Sequence, residues 1–245
     1  TREQILEIHQ RFYNAAQQLI VVAVGRFNPV ELLKTIGESL GDLTKSVESP
    51  FGVPEEEYSR KTTKSVVHRW HGKKAHLMFG FRAPLCYHSD YFPMCVLSAI
   101  LGEGVDSRLY TELREKTGLV FVRGPFNPTS GCDSSPWHGV FYIYAPCHPK
   151  DLAAVKKIVR RELRKFAQEP VIKEELKRNQ DKLIWQYALS LAGTKKHAQM
   201  LFVADIKGVL KEFDDFHSKI RNVKTGDIQR VAKMYCLSQR AVCAV

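Results

Sequence analysis

The spacing of apolar residues divides this chain into helix-like and strand-like stretches. In TREQILEIHQRFY, Ile5, Ile8 and Phe12 fall on one helical face behind a Thr start and an early Glu. QLIVVAVG is a short unbroken apolar run ending in Gly, which predicts a buried strand. NPVELLKTIGESLG follows with an Asn-Pro start and a Gly stop, a second helix. These three form a helix–strand–helix unit over residues 1–45. DLTKSVESPFGVPEEEYSRK then collects Ser, Pro, Gly and charge, and this linker signature places a boundary at residues 46–56.

Residues 57–245 read as one complete domain. TTKSVVHRW and KAHLMFGFRAP are strand patterns flanking the turn HGKK, and SDYFPMCVLSAILG and DSRLYTELREKTG are helices closed by Gly. LVFVRG and HGVFYIYAPC are strand-like, with a Ser/Gly/Asp loop expected between them. Three helical patterns follow. In the first, Leu152, Val155, Val159, Leu163 and Phe166 share one stripe; IKEELKRNQDKLIWQYALSLAG and TKKHAQMLFVADIKG are the others. The chain closes with helix TGDIQRVAKMY and strand RAVCAV. Strands first and helices grouped later predict an α+β fold, a mixed or antiparallel sheet with helices packed on one face.

The last elements resemble the first. Sliding the chain along itself superposes Leu6 on Ile228, Arg11 on Lys233, Tyr13 on Tyr235 and Gln17 on Gln239, and LIVVA then falls on AVCAV. Two unrelated amphipathic helices before strands would give a similar match. A true repeat would make residues 1–45 the tail of a preceding domain of the same kind.

Composition narrows the class. A hydrophobic content of 44% is enough for an ordinary core, and no apolar run is long enough to span a bilayer. The chain opens on Thr1 with an amphipathic pattern that is neither a signal nor a transit peptide, which reads as a fragment or a processed chain. Net charge is +11, and the basic excess gathers after residue 150 on helix patterns such as KKIVRRELRK. Solvated helix faces account for it, and an anion-binding module is the alternative. No zinc-finger spacing or RNP-like stretch points to nucleic acid. The six cysteines, Cys86, Cys95, Cys132, Cys147, Cys236 and Cys243, show no CxxC. Most lie in apolar stretches and read as buried free thiols, which favours a reducing compartment.

Candidate chemistry is sparse. LGEGVD lacks the Gly-Lys-Ser/Thr of a phosphate loop and the third glycine of a dinucleotide fingerprint, so its glycines read as a turn between helices. His68 and His71 of HRWH lie three apart on a strand pattern and point to opposite faces. The chain contains neither HExxH nor HxxEH. Cys132 sits beside Asp133 in GCDSS, a candidate nucleophile to which no His can be assigned, and no GxSxG elbow is present.

LGEGVDSRLYTELREKTGLVF, from Leu101 to Phe121, closely resembles the second-domain signature of the pitrilysin/insulinase zinc metallopeptidases, the inverzincins. A Gly-containing turn, SRL, LREK and GL with an aromatic occur there in this order. VIKEELKRNQDKLIWQYALSLAG is similar to the family's long helix with an acidic start, and TGDIQRVAKMY to its closing helix. EIHQRFYNAAQQLIVVAVG is similar to the end of the family's first domain.

The resemblance implies a metallopeptidase-like, processing-peptidase-like α+β domain preceded by the tail of a similar one. Family enzymes hold zinc through HxxEH and a later Glu in the preceding domain, so the resemblance implies no cofactor in this chain and zinc in its parent or partner. The implied role is peptide binding and closure of a proteolytic chamber, with the chain by itself inactive. A non-catalytic structural or regulatory subunit, like the core proteins of respiratory complexes, is the alternative. The partners implied are a peptide substrate and a zinc-binding domain or subunit of the same family, with a dimer also allowed. The family's substrate-contacting Arg matches Arg114, and its Tyr falls on Phe121. Arg114 would donate charge-assisted hydrogen bonds to a peptide carbonyl, or else pair with an acid such as Glu115 at a solvated helix end. Phe121 keeps the ring without the phenolic donor, or is a core aromatic. Such a donor contributes about 2.7–4 kcal/mol to a transition state.

Overall fold

The computed structural model describes residues 1–12, 19–40, 64–68, 74–120, 128–237 and 242–244. The chain divides into two compact units, residues 1–55 with 189–206, and residues 56–188 with 207–245. The stretch 189–206, read from the sequence as part of the second domain, thus groups with the N-terminal residues.

The first unit contains α1 (Arg2–Phe12), α2 (Pro29–Leu40) and α7 (Thr194–Ile206). Asn28 caps α2, its Oδ1 accepting from the Val30 amide at 3.0 Å, with Pro29 at the first helical position. No residue of α2 is buried, and Val30 and Leu33 are 75% and 69% exposed. Residues 19–24 belong to no strand, and Leu19, Ile20 and Val21 are exposed. The buried strand expected there is therefore not formed among the described residues. A strand needs a ladder partner, and apolar character alone does not provide one.

The second unit is built on a five-stranded sheet. Its strands are β1 (Lys64–Val66), β2 (Ala75–Arg82), β3 (Thr129–Ser134), β4 (Gly139–Cys147) and β5 (Val242–Ala244), in the order β1-β5-β2-β4-β3. All pairs are antiparallel except β1 with β5. Two details differ from the sequence reading. The strands either side of HGKK do not pair with each other, because β5 lies between them. Thr129–Ser134, expected as a loop, is strand β3, since pairing along β4 outweighs the weak strand preference of Ser, Gly and Asp.

The helices of this unit are α3 (Tyr91–Gly102), α4 (Arg108–Tyr110) running into a π-helical stretch Thr111–Lys116, α5 (Leu152–Gln168), most of α6 (Lys173–Leu191), α8 (Leu210–Asp214), α9 (Phe216–Arg221), and α10 (Thr225–Val231) running into a second π-helical stretch Ala232–Cys236. The predicted stripe on α5 is realised, with Val155, Val159, Leu163 and Phe166 buried. On α3 ten of twelve residues are buried. These side chains meet Leu77, Phe79 and Phe81 of β2 and Phe141, Ile143 and Ala145 of β4 in one core. Because strand side chains alternate, one sheet face faces this core and the other does not. Arg230 of α10 ties the helical layer to α3 by pairing with the buried Asp90 at 2.6 Å, and the Tyr235 hydroxyl donates to the same carboxylate at 3.1 Å.

Candidate functional site

The segment Ile100–Val120 leaves α3, turns, and enters the short helix and its π-helical extension. Gly102 lies against β3 so closely that a Cβ there would sit 2.4 Å from the Ser130 backbone nitrogen. Gly104 takes φ +90°, which its lack of a side chain permits. The turn is closed by Ser107 Oγ donating to Gly104 O at 2.7 Å and by Lys182 Nζ donating to Glu103 O at 2.6 Å. The two glycines thus serve a turn between helices.

Of the two arginines in SRLYTELREK, Arg108 is committed to structure. Its guanidinium forms a two-pronged pair with Glu175, at 2.9 and 2.6 Å, and lies 4.3 Å over the Phe166 ring. Burial acts to lower its pKa, and the Glu175 carboxylate more than offsets this, so the net shift is upward. A groove of about 390 Å³ beside it is lined by Arg108, Glu112, Lys116, Glu162, Lys165 and Glu175. These six are joined in ion pairs within the protein.

Arg114 is half-buried, with its guanidinium 4.7 Å over the Tyr110 ring. Stacking of this kind fixes the plane of the fork that would meet a carbonyl or carboxylate. Phe121, expected as its companion, lies outside the described residues, as does His71. His68 is exposed. Among the described residues no three His, Cys, Asp or Glu side chains are grouped to hold a metal ion, so the described chemistry does not fit a zinc centre.

The feature that sequence reasoning missed is the other face of the sheet. His76, Met78, Gly80 and Arg82 of β2 alternate with the core-facing residues, as do Val140, Tyr142 and Tyr144 of β4. Register sets them in rows across the strands: Met78, Tyr144 and Thr129; Gly80, Tyr142 and Gly131; Arg82, Val140 and Asp133. Met78 and Val140 are 44% and 38% exposed. Tyr144 is half-buried, and its hydroxyl lies 2.7 Å from His76 Nδ1, with the two rings stacked at 5.9 Å. Burial pushes the Tyr144 phenol up. A Cβ at Gly131 would meet the Tyr142 hydroxyl at 2.4 Å, so the glycine leaves room for that ring to lie across β3. The signal available in the sequence was the alternation in AHLMFGFR and GVFYIYAPC, whose off-face positions are Met, His, Arg and Tyr rather than plain surface polars.

The family profile described as the peptidase M16 inactive domain matches residues 1–183. An uncharacterized zinc protease of Streptomyces coelicolor is 26% identical over 239 residues, a match covering 95% of this chain and 50% of the relative. The crystal structure of a protease from Helicobacter pylori has a TM-score of 0.87 at 21% identity, covering 100% of this chain and 58% of that one. The peptidase M16 inactive domain from Pseudomonas fluorescens has a TM-score of 0.78 at 16% identity, covering 100% and 57%. At these identities the structural likeness is one of fold. The chain spans about half the length of the curated relative it matches.

Proposed function

Because this chain belongs to the family of peptidase M16 inactive domains, we propose that it is the non-zinc-binding portion of a zinc metallopeptidase, which binds peptide and closes the proteolytic chamber. The observation that carries this reading is the sheet face opposite the helices, which stays partly exposed among the described residues. One side of the sheet is sealed by helices, while the other presents Tyr142, Tyr144, Met78 and His76 in rows. Aromatic rings and a thioether supply adaptable apolar contact for peptides of varied sequence. Arg114 adds a charged donor for a peptide carbonyl or carboxylate. Zinc, held by another domain or by a partner subunit of the same family, would activate water and polarise the scissile carbonyl. This chain's own residues bind and orient the peptide and keep bulk water out.

Residues 1–45 are, in this reading, the tail of the preceding domain, residues 46–56 the linker and residues 57–245 the second domain. The apolar side chains exposed on α1 and α2, Ile5, Ile8, Val30 and Leu33 among them, are the surface such a domain would cover.

The test uses this chain assembled with its zinc-binding part. Tyr144→Ala and Arg114→Ala are each expected to raise the KM for an unfolded peptide about tenfold, the scale of one lost charged hydrogen bond, with bound zinc and Tm nearly unchanged. Unchanged KM in both variants would remove the peptide-binding role. If the complete assembly binds no zinc and cleaves nothing, the structural-subunit reading replaces it.

A further inference from the structure

Two of the described cysteines stand apart from the others. Cys86, Cys147 and Cys236 are buried, whereas Cys95 and Cys132 are only half-buried. Burial pushes the Cys147 thiol up to about 11 and Cys236 up to about 12, so both stay protonated and unreactive at neutral pH. GCDSS also drew attention in the sequence as a nucleophile without a histidine, and the peptide-binding reading makes no use of it.

The fold supplies a different partner. Strand β3 lies at one edge of the sheet, with Ser130, Cys132 and Ser134 on the helix-covered side beside Ile143, Phe141 and Gly139. Helix α3 presses on that strand along one ridge. Ser130 Oγ donates to Ser98 O at 2.8 Å, and Gly102 approaches the Ser130 backbone closely enough to exclude a Cβ. Ser130 is therefore opposite the span between residues 98 and 102. Two residues along a strand advance about 6.7 Å, which equals about four and a half residues of helix at about 1.5 Å each. That step lands beside Cys95, on the same ridge as Ser98 and Gly102. The two thiols are accordingly neighbours across this contact, each shifting the other's titration. Glycine and serine on the contact ridge bring helix and strand backbones into the close range that a disulfide requires.

The surroundings differentiate the pair. Cys95 holds the Cys132 thiol below its ordinary range, with Lys207 adding to the effect. Lys207 is fixed nearby by donating from Nζ to Ser134 O, and Cys132 Sγ lies 3.5 Å from Ser134 Oγ. Cys95 is pushed the other way by Cys132 and by burial. Cys132 is thus the readier of the two to give up its proton, and Cys95 is placed to act as the resolving thiol.

We propose that Cys95 and Cys132 form a dithiol site that hydrogen peroxide oxidises to a disulfide, fastening α3 to the edge strand β3. The Cys132 thiolate attacks one peroxide oxygen. An S–O bond forms, the O–O bond breaks, and the departing hydroxide takes a proton to leave as water. The Cys95 sulfur then attacks the sulfenic sulfur. The S–S bond forms, the S–O bond breaks, and the expelled hydroxide leaves as a second water with the proton from Cys95. The two sulfurs lose two electrons together, and one peroxide is reduced to two waters. Nothing in this step depends on the peptide-binding reading.

The test treats the whole protein with graded hydrogen peroxide, alkylates the remaining thiols after denaturation, and maps the peptides by mass spectrometry. A cross-link joining the peptides of Cys95 and Cys132, reversed by dithiothreitol, is expected, with a reversible rise in Tm. Cys95→Ser should stop the reaction at a Cys132 sulfenic acid that dimedone captures. Cys132→Ser should abolish both the cross-link and dimedone labelling at Cys95. Circular dichroism establishes that each variant is folded. A disulfide from either cysteine to Cys86 or Cys236 would overturn the proposal. So would thiols that stay free in folded wild type while a solvent-exposed cysteine peptide in the same tube is oxidised.

Discussion

The two faces of the second unit's sheet come from the same strands, yet they do different work. On the covered side Phe79, Phe81, Phe141 and Ile143 are buried under α3, α5 and α10. On the open side their sequence neighbours Met78, Tyr142 and Tyr144 remain partly accessible. A residue's hydrophobicity does not decide between these fates, since Met94 of the same unit is fully buried. The pleat decides which side each residue takes, and the helices decide which side is sealed. The covered face carries the stability of the unit, and the open face is the one that the proposed reading assigns to binding.

That division fails or stands on a graded series of substitutions. Phe141→Ala, at a fully buried ring, is expected to cost about 3–5 kcal/mol in urea unfolding; a loss near zero would mean that the helical layer does not seal the sheet. Gly102→Val forces a side chain against the β3 backbone and is expected to cost about 1–3 kcal/mol by the same assay. On the open face, Met78→Lys should change stability by no more than about 0.5 kcal/mol, while fluorescence anisotropy shows altered affinity for a labelled peptide in the complete peptidase. A large stability loss there would show that something also covers this side.

The smallest effect concerns pH. The hydrogen bond from Lys116 lowers the pKa of Glu112, with Arg161 contributing. A carboxylate depressed in the folded state adds stability above its unfolded value of about 4.3. That stability is lost as pH falls through the lower folded value. Glu112→Gln should therefore flatten the acid limb of a Tm-against-pH curve and leave the neutral region nearly level. An unchanged acid limb would show that the pair contributes nothing there.

Much of this organisation was legible in the sequence. A one-face stripe placed α5, whose burial imprints that period directly, while α3 was placed by its Gly stop, α6, α7 and α10 as helical patterns, and β2 and β4 as strand-like apolar runs. The segment Leu101–Phe121 carried the family, which the profile match over residues 1–183 shows. What escaped had physical causes. β3 is spelled TSGCDS, a turn-like string that becomes a strand only through its long-range pairing with β4. The apolar run at residues 19–24 lacks, among the described residues, the partner that would make it a strand. Helices α8 and α9 are short enough that no period develops. The half-buried thiols were read as buried, since sequence context gives the apolar surroundings but not the depth. Arg114 was singled out and is stacked on Tyr110, a contact fixed by its helical spacing but invisible to a search for motifs.

The parallel pairing of β1 with β5 bears on how the fold assembles. Among the described residues β1 meets the rest of the sheet through β5 alone, which the ribosome makes after the described helices of the unit. β2, β4 and β3 can pair as soon as residue 147 has emerged, and the helical layer can close over them. The first strand of the unit must meanwhile wait for a segment synthesised after the unit's described helices. Long-range closure of this kind is slow. A late kinetic phase, in which protection of the β1 and β5 amides appears together and after that of β2 and β4, is its expected signature in pulsed hydrogen exchange.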